Sequence, residues 1–273
     1  MKFSVLMSVY NKELPERLQE ALDSMRNQTL QPHQIVIVQD GPLNQNLLAV
    51  IAAFQRVFKQ TTVVELKRNH GLGYALNAGL RACRYELIAR MDSDDISLPD
   101  RFEKQISYME SHPDISVIGS FITEYDEEMK NVLSVRKVPV EANEFSSYIK
   151  KRSPFNHPSV VFKKSDIVKA GGYQTCMFFE DYYLWCRLAS EGATFHNIPE
   201  SLMKIRSGES LFGRRGGFSY AMNIFNFQKK IYKLGIIDAP TFLVNFLQRS
   251  VIAVIPNQAR AIVYKKFLRS DTV

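Results

Sequence analysis

Cysteine is scarce in this 273-residue chain and poorly placed for pairing: Cys83, Cys176 and Cys186 are odd in number and show no paired C-x-x-C spacing. That excludes a disulfide framework and a cysteine zinc cluster, and it fits a reducing compartment. Long apolar runs are also missing. The first eleven residues hold one lysine and a short apolar stretch, too little for a signal peptide, and read instead as a first strand. The apolar stretch 242–255 is broken by Asn245, Gln248 and Arg249, which leaves it too short and polar to span a bilayer. No repeat or low-complexity tract occurs. Gly71-Leu72-Gly73-Tyr74-Ala75-Leu76 lacks the third glycine of a dinucleotide-binding loop, which argues against a Rossmann oxidoreductase. The chain is expected to stay in the cytoplasm.

What is present is enough for a large core, because 45% of the residues are hydrophobic and only 23% charged. The net charge of +7 is uneven, with eight Lys/Arg against two Asp from Phe218 onward. Those basic residues are interleaved with aliphatic and aromatic side chains rather than clustered alone. That pattern argues against nucleic acid and for an anionic membrane surface.

Short β-rich runs alternate with helical patterns through the first third. Strands are expected at 3–9, 34–38, 62–66 and 87–91. Helices are expected from Pro15, with Leu18, Leu22 and Met25 on one face, and at 47–58 and 73–81. The alternation predicts an α/β fold with a mostly parallel central sheet flanked by helices. Further strands are expected at 115–118, 121–125 and 159–162, and helices at 141–150 and 181–190. A last helical segment begins at Phe218 and is interrupted by Gly235, Pro240 and Pro256.

In open sheets of this kind, ligands bind beyond the carboxyl ends of the strands. Polar residues stand at each of those ends: Tyr10-Asn11-Lys12-Glu13, Gln39-Asp40-Gly41-Pro42, Arg68-Asn69-His70-Gly71 and Asp92-Ser93-Asp94-Asp95. The last group concentrates negative charge at a sheet edge with no internal neutraliser in sequence. A hard divalent ion suits it, since Mg²⁺ and Mn²⁺ take carboxylate and diphosphate oxygens. The alternative is an N-cap for a helix starting near Pro99-Asp100-Arg101.

Taken together, these groups resemble glycosyltransferase family 2, whose members have the GT-A fold. The resemblance runs from Phe3 to about Arg206. It rests on Ser8-Val9-Tyr10-Asn11 with Glu13, on Gln39-Asp40-Gly41-Pro42, and on Asn69-His70-Gly71 with Ala75, Asn77 and Gly79. It continues in Asp92-Ser93-Asp94-Asp95 with Pro99, and in Glu180-Asp181. Each motif is weak alone, but their order and spacing follow the family. The resemblance implies that Tyr10, Asn11, Glu13 and Asp40 surround the base and ribose of UDP, that Asn69 lines the same nucleotide-sugar site, and that Asp92 faces the ribose. It implies Asp94 as the direct ligand of Mn²⁺ or Mg²⁺, with Asp95 behind it. In one departure, Gln39-Asp40 stands where the family often has two acidic residues, which bears on the base contact.

By the same resemblance Asp181 is the general base for an acceptor hydroxyl, giving inversion at the anomeric carbon; its aromatic surroundings favour a raised carboxylate pKa. The alternative is that Glu180 or Asp181 caps the helix that follows. His157, in Asn156-His157-Pro158, is either a sugar or phosphate contact or part of a turn. Arg206, with the run to Arg214 and Arg215, either closes over the diphosphate or is a solvated basic loop.

The division expected is a GT-A catalytic domain at 1–215, with a nucleotide half at 1–100 and an acceptor half at 101–215, followed by a helical tail at 216–273. Tyr232, Phe242, Phe246, Tyr264 and Phe267, with Lys229, Lys230, Lys233, Arg249, Lys265, Lys266 and Arg269, would set the enzyme on the inner face of the cell membrane. The alternative is a helical layer packed on the catalytic domain or on a second subunit of a homodimer. The function expected is an inverting transfer of a hexose from a UDP-sugar to a lipid-diphosphate-linked sugar, as in O-antigen and other surface polysaccharide synthesis. Two competing readings are a catalytically silent nucleotide-sugar-binding module and a sugar nucleotidylyltransferase. The second would require a glycine-rich basic loop after the first strand, where Tyr10-Asn11-Lys12-Glu13 stands.

Overall fold

A computed structural model describes residues 1–207 and 217–254. Arg214, Arg215, Pro256, Tyr264, Lys265, Lys266, Phe267 and Arg269 lie outside the described residues, as does the expected domain boundary at 215. Four strands form the parallel half of the sheet: β1 (Phe3–Val9), β2 (Gln34–Gln39), β3 (Thr61–Glu65) and β4 (Leu87–Met91), in spatial order β3-β2-β1-β4. Between them run α1 (Pro15–Arg26), α2 (Gln45–Val57) and α3 (Leu72–Ala82). β1 and β2 are apolar along nearly their whole length because helices cover both of their faces.

Alternation along β1 sends Leu6 into one apolar cluster, with α3, and Val5, Met7 and Val9 into the other, with α1 and α2. α3 lies close on the sheet. A Cβ at Gly79 would overlap Leu6 Cδ1 and come within 2.6 Å of Val38 Cγ2.

Beyond β4 the expected parallel sheet becomes mixed. β8 (Val161–Lys163) pairs antiparallel with β4 and with β6 (Ile115–Tyr125), while β9 (Thr194–Arg206) runs parallel to β6. β5 (Ile96–Ser97) and β7 (Val132–Arg136) join antiparallel to β9 and β6. The two strands expected at 115–118 and 121–125 are thus one strand, kept continuous by register shifts against β9. The strand expected from 159 begins at Val161, after a 3₁₀ turn over His157–Ser159.

Four further helices complete this half: α4 (Arg101–Ser111), α5 (Ala142–Tyr148), α6 (Lys164–Lys169) and α7 (Glu180–Ser190). Two more follow, α8 (Phe218–Lys233) and α9 (Ala239–Val254), broken at Gly235, whose φ is +72°. α8 packs on the catalytic part. Phe227 is stacked on Phe179 at 4.6 Å between ring centroids and tilted against Tyr182 at 4.7 Å. Ile224, Phe227, Ile231 and Ile237 belong to the same buried cluster as α3 and α7. Asn245 of α9 donates to Lys150 O at 2.8 Å.

Candidate active site

Parallel pairing places Val9 beside Gln39, and Gln39 beside Glu65, so the polar ends of β1, β2 and β3 meet on one edge of the sheet. β4 pairs with β1 up to Met7–Met91, and the acidic run follows on the same edge. Two carboxylates there bind the chain together. Asp40, buried, accepts from His70 N at 2.8 Å through Oδ1 and from Gly71 N at 3.0 Å through Oδ2, tying the end of β2 to the loop before α3. Gly41 allows that approach: its φ is +89°, and a Cβ would lie 2.6 Å from Asn69 N. Glu13, also buried, accepts from Ser93 Oγ at 2.5 Å and from Leu14 N at 2.9 Å, tying the end of β1 to the acidic run. Tyr10, Asn11 and Asn69 stay exposed on the rim, with Asn69 Nδ2 donating to Asp40 O at 3.2 Å.

Asp92, Asp94 and Asp95 each bring a carboxylate oxygen to within 4.8 Å of the others. Burial first, then the charges of Asp92 and Glu13, push Asp94 up to about 6; burial, Asp92 and Asp94 push Asp95 well above the usual carboxylate range. Such a cluster is short of positive charge, and its all-oxygen donors fit a hard divalent cation. The helix-cap reading of this run does not hold, because β5 intervenes and the N-cap of α4 is Asp100. Just outside the run, the buried guanidinium of Arg90 makes an ion pair with Asp92. Arg90 Nε and Nη1 have no hydrogen-bond partner in this structure.

The start of α7 lies against the start of α3, where a Cβ at Gly73 would be 3.5 Å from Glu180 Cγ. Asn77 of α3 donates to Tyr173 O at 2.7 Å and accepts from Tyr173 N at 2.9 Å, fastening the segment that leads to α7. Glu180 and Asp181 occupy the first turn of α7, where acidic residues favour the helix dipole; the N-cap itself is Phe179, which makes no side-chain cap bond. Burial raises the Asp181 carboxyl above its ordinary value, while the N–H of Tyr182 and the charges of Arg90 and Arg136 hold it down. His157 pairs through Nε2 with Tyr173 Oη at 2.9 Å. Burial, with Arg90 adding to it, drives the His157 pKa far down and keeps the ring neutral.

Arg206 ends β9 behind the acidic run. Its guanidinium is hydrogen-bonded to Asp94 O and ion-paired with Glu20, and Nε donates to Glu127 O at 3.3 Å. Its backbone N–H donates to Asp95 Oδ1 at 3.1 Å. In this arrangement Arg206 supports the loop that carries Asp94. Sequence reasoning did not single out Arg90, which lies within an apolar strand, or Tyr173. The one available signal for Arg90 was a charged residue two positions before an acidic run on a strand with period two.

A parallel half-sheet ending in a polar, acidic edge defines the class of open α/β sheets that bind ligands beyond the carboxyl ends of their strands. Within that class the chain belongs to glycosyltransferase family 2: the profile of Glycosyl transferase family 2 matches residues 4–168. It is 40% identical to the amylovoran biosynthesis glycosyltransferase AmsE of Erwinia amylovora, over 97% of this chain and 98% of that one. It is 36% identical to the UDP-Gal:alpha-D-GlcNAc-diphosphoundecaprenol beta-1,3-galactosyltransferase of Escherichia coli, over 98% of this chain and 97% of that one. The fold is shared with S. aureus TarS 1-349 in complex with UDP-GlcNAc, at TM-score 0.68 and 18% identity over 97% of this chain and 75% of that one. It is shared too with the mannosyltransferase PcManGT of Pyrobaculum calidifontis in complex with GDP-Man and Mn2+, at TM-score 0.64 and 16% identity over 100% of this chain and 76% of that one. The protein is a glycosyltransferase with the GT-A fold.

Proposed function

We propose that the protein transfers a hexose, with inversion, from a UDP-sugar to a sugar carried on a lipid diphosphate, in the synthesis of a surface polysaccharide. The observation that carries this reading is the joining of Asp92, Asp94 and Asp95 at the β4 edge with Asp181 across Arg90, on a chain similar along its length to a galactosyltransferase of such acceptors. Tyr10, Asn11 and Asn69 line the nucleoside side, where Asp40 and Glu13 hold the loops in place. Asp94, with Asp92 beside it, would hold Mn²⁺ or Mg²⁺, which as a Lewis acid neutralises the departing diphosphate.

Asp181 takes the proton of the acceptor hydroxyl. The freed oxygen pair bonds to the anomeric carbon from the side opposite the UDP oxygen, whose bond to that carbon breaks, so the configuration inverts. Arg90 keeps a positive charge between the two carboxylate groups, which favours ionised Asp181 at neutral pH. Arg206 acts through the acidic loop rather than on the diphosphate.

Membrane contact belongs to the same reading. Among the described residues no helix is long and apolar enough to cross a membrane. Leu243, Val244 and Leu247 of α9 are all more than half exposed, and Lys229 and Lys233 of α8 are exposed as well. This mixture suits peripheral attachment to the inner face of the cell membrane, where a lipid-linked acceptor is presented. A homodimer through the same face is the competing arrangement.

The decisive experiment is calorimetric titration with UDP, with and without Mn²⁺, on the native protein, Asp94→Ala and Asp181→Asn. Expected are metal-dependent binding by the native protein, its loss in Asp94→Ala, and its retention in Asp181→Asn together with loss of transfer. Failure of the native protein to bind UDP under any condition overturns the reading.

A further inference from the structure

Among the described residues two that are not glycine have positive φ. Met129, at +58°, closes the β6–β7 hairpin, where Asp126 accepts from Lys130 N at 2.8 Å. Phe178, at +70°, has no such excuse. It is the third residue of a turn closed by Phe179 N donating to Cys176 O at 2.7 Å, a type II position that favours glycine. A bulky aromatic there is strained.

The strain is not offset by burial. Phe178 is 45% exposed and its neighbour Met177 is 56% exposed, whereas the next ring, Phe179, is buried against Phe227. The Phe178 ring makes an edge contact with Tyr220, at 5.3 Å between centroids. Two features that folding disfavours thus coincide on one residue, three positions before Asp181. That separation limits its Cα to within about 11 Å of the base along the chain.

We propose that Phe178 is an acceptor-recognition residue, whose ring stacks on the C–H face of the pyranose that presents its hydroxyl to Asp181. The inference rests on the reading of Asp181 as the base. A pyranose offers one face of C–H groups and a rim of hydroxyls. An exposed aromatic ring three residues before the base would cover the former and leave the latter to polar contacts, orienting the attacking hydroxyl. The lipid is a less suitable occupant for this ring, because in a lipid-diphosphate-linked sugar the pyranose lies nearer the reacting oxygen than any alkyl carbon. The left-handed turn is what points the ring outward. A glycine would adopt the turn more readily and present nothing.

The test measures transfer from UDP-galactose by the native protein, Phe178→Ala, Phe178→Gly and Phe178→Trp. Two acceptor probes are used: N-acetylglucosamine diphosphate bearing a long alkyl chain, and the same sugar diphosphate bearing a methyl group. Expected is a rise in acceptor KM of roughly tenfold or more for the Ala and Gly variants on both probes. Donor KM should be unchanged, Phe178→Gly should melt no lower than the native protein, and Phe178→Trp should keep a near-native acceptor KM. An unchanged acceptor KM in Phe178→Ala overturns the proposal. So does a rise confined to the long-chain probe, which assigns the ring to the lipid, or a joint rise of both KM values with a lowered Tm, which makes it a prop for Tyr220. If the native protein transfers to neither probe from UDP-galactose, UDP-glucose or their N-acetyl forms while still binding UDP, the acceptor class is wrong and the inference falls with it.

Discussion

Asp94 is a carboxyl held against its preference for water, and that has a pH signature. Its value of about 6 in the folded state stands above the ordinary carboxylate value. Such a group stabilises the fold below the unfolded value and loses that contribution as pH rises through the folded one. The metal-free protein therefore gives up stability from Asp94 as pH rises to about 6 and beyond, where the ionised cluster repels itself. Mn²⁺ should then raise Tm more at about pH 7.5 than at about pH 5, read by differential scanning fluorimetry. An equal rise at both values would show that these carboxylates do not bind the ion. The acidic run itself was legible because three carboxylates directly after an apolar strand have few other uses. Arg90 was not, because periodicity treats a single charge inside Leu87-Ile88-Ala89-Arg90-Met91 as noise. Its burial comes from tertiary packing: Ile88, two residues earlier on that strand, lies in one apolar cluster with residues of α3 and α7. The sequence leaves Arg206 as a solvated or phosphate-facing cation because its partners Glu20 and Glu127 are distant in sequence.

At the scale of elements, the first half of the sheet could be read almost strand by strand. There the apolar runs are short, uniform and separated by helices with clear one-sided patterns. β9 escaped for the opposite reason. Its thirteen residues carry Pro199, Glu200 and Ser201 in their middle, and the strand stays continuous only through irregular pairing with β6. Two substitutions test how elements set the site. Gly79→Ala puts a methyl group between α3 and the sheet and should cost about 1–3 kcal/mol in urea denaturation; unchanged stability would mean that the helix is not seated as described. Phe227→Ala removes the ring stacked under Phe179 and should cost about 3–5 kcal/mol. Because Phe179 is the N-cap of α7, the turnover of that variant should fall at temperatures where it is still folded. Retained turnover would separate α8 from the positioning of Asp181.

For the molecule as a whole, the charge excess was visible in composition, but what it faces was not, since helical periodicity cannot say whether an apolar stripe meets protein or lipid. The structure divides the stripe. Ile224, Phe227 and Ile231 face the catalytic part, while Leu243, Val244 and Leu247 face outward. Attachment through the outward face predicts co-sedimentation with vesicles containing anionic lipid, weak binding to zwitterionic vesicles, and release on raising salt. Indifference to lipid charge would favour a protein partner for α9.

The shared core of α7 and α8 also bears on how this chain tolerates being divided. Cutting before Phe218 would strip Phe179 and Tyr182 of Phe227 and bare an aromatic surface beside the base. The catalytic fold and its C-terminal helices should therefore be inherited and exchanged as one piece. A chimaera that joins this sheet to a relative's helices has to match the ring set at 179, 182 and 227 before any question of acceptor choice can be asked of it.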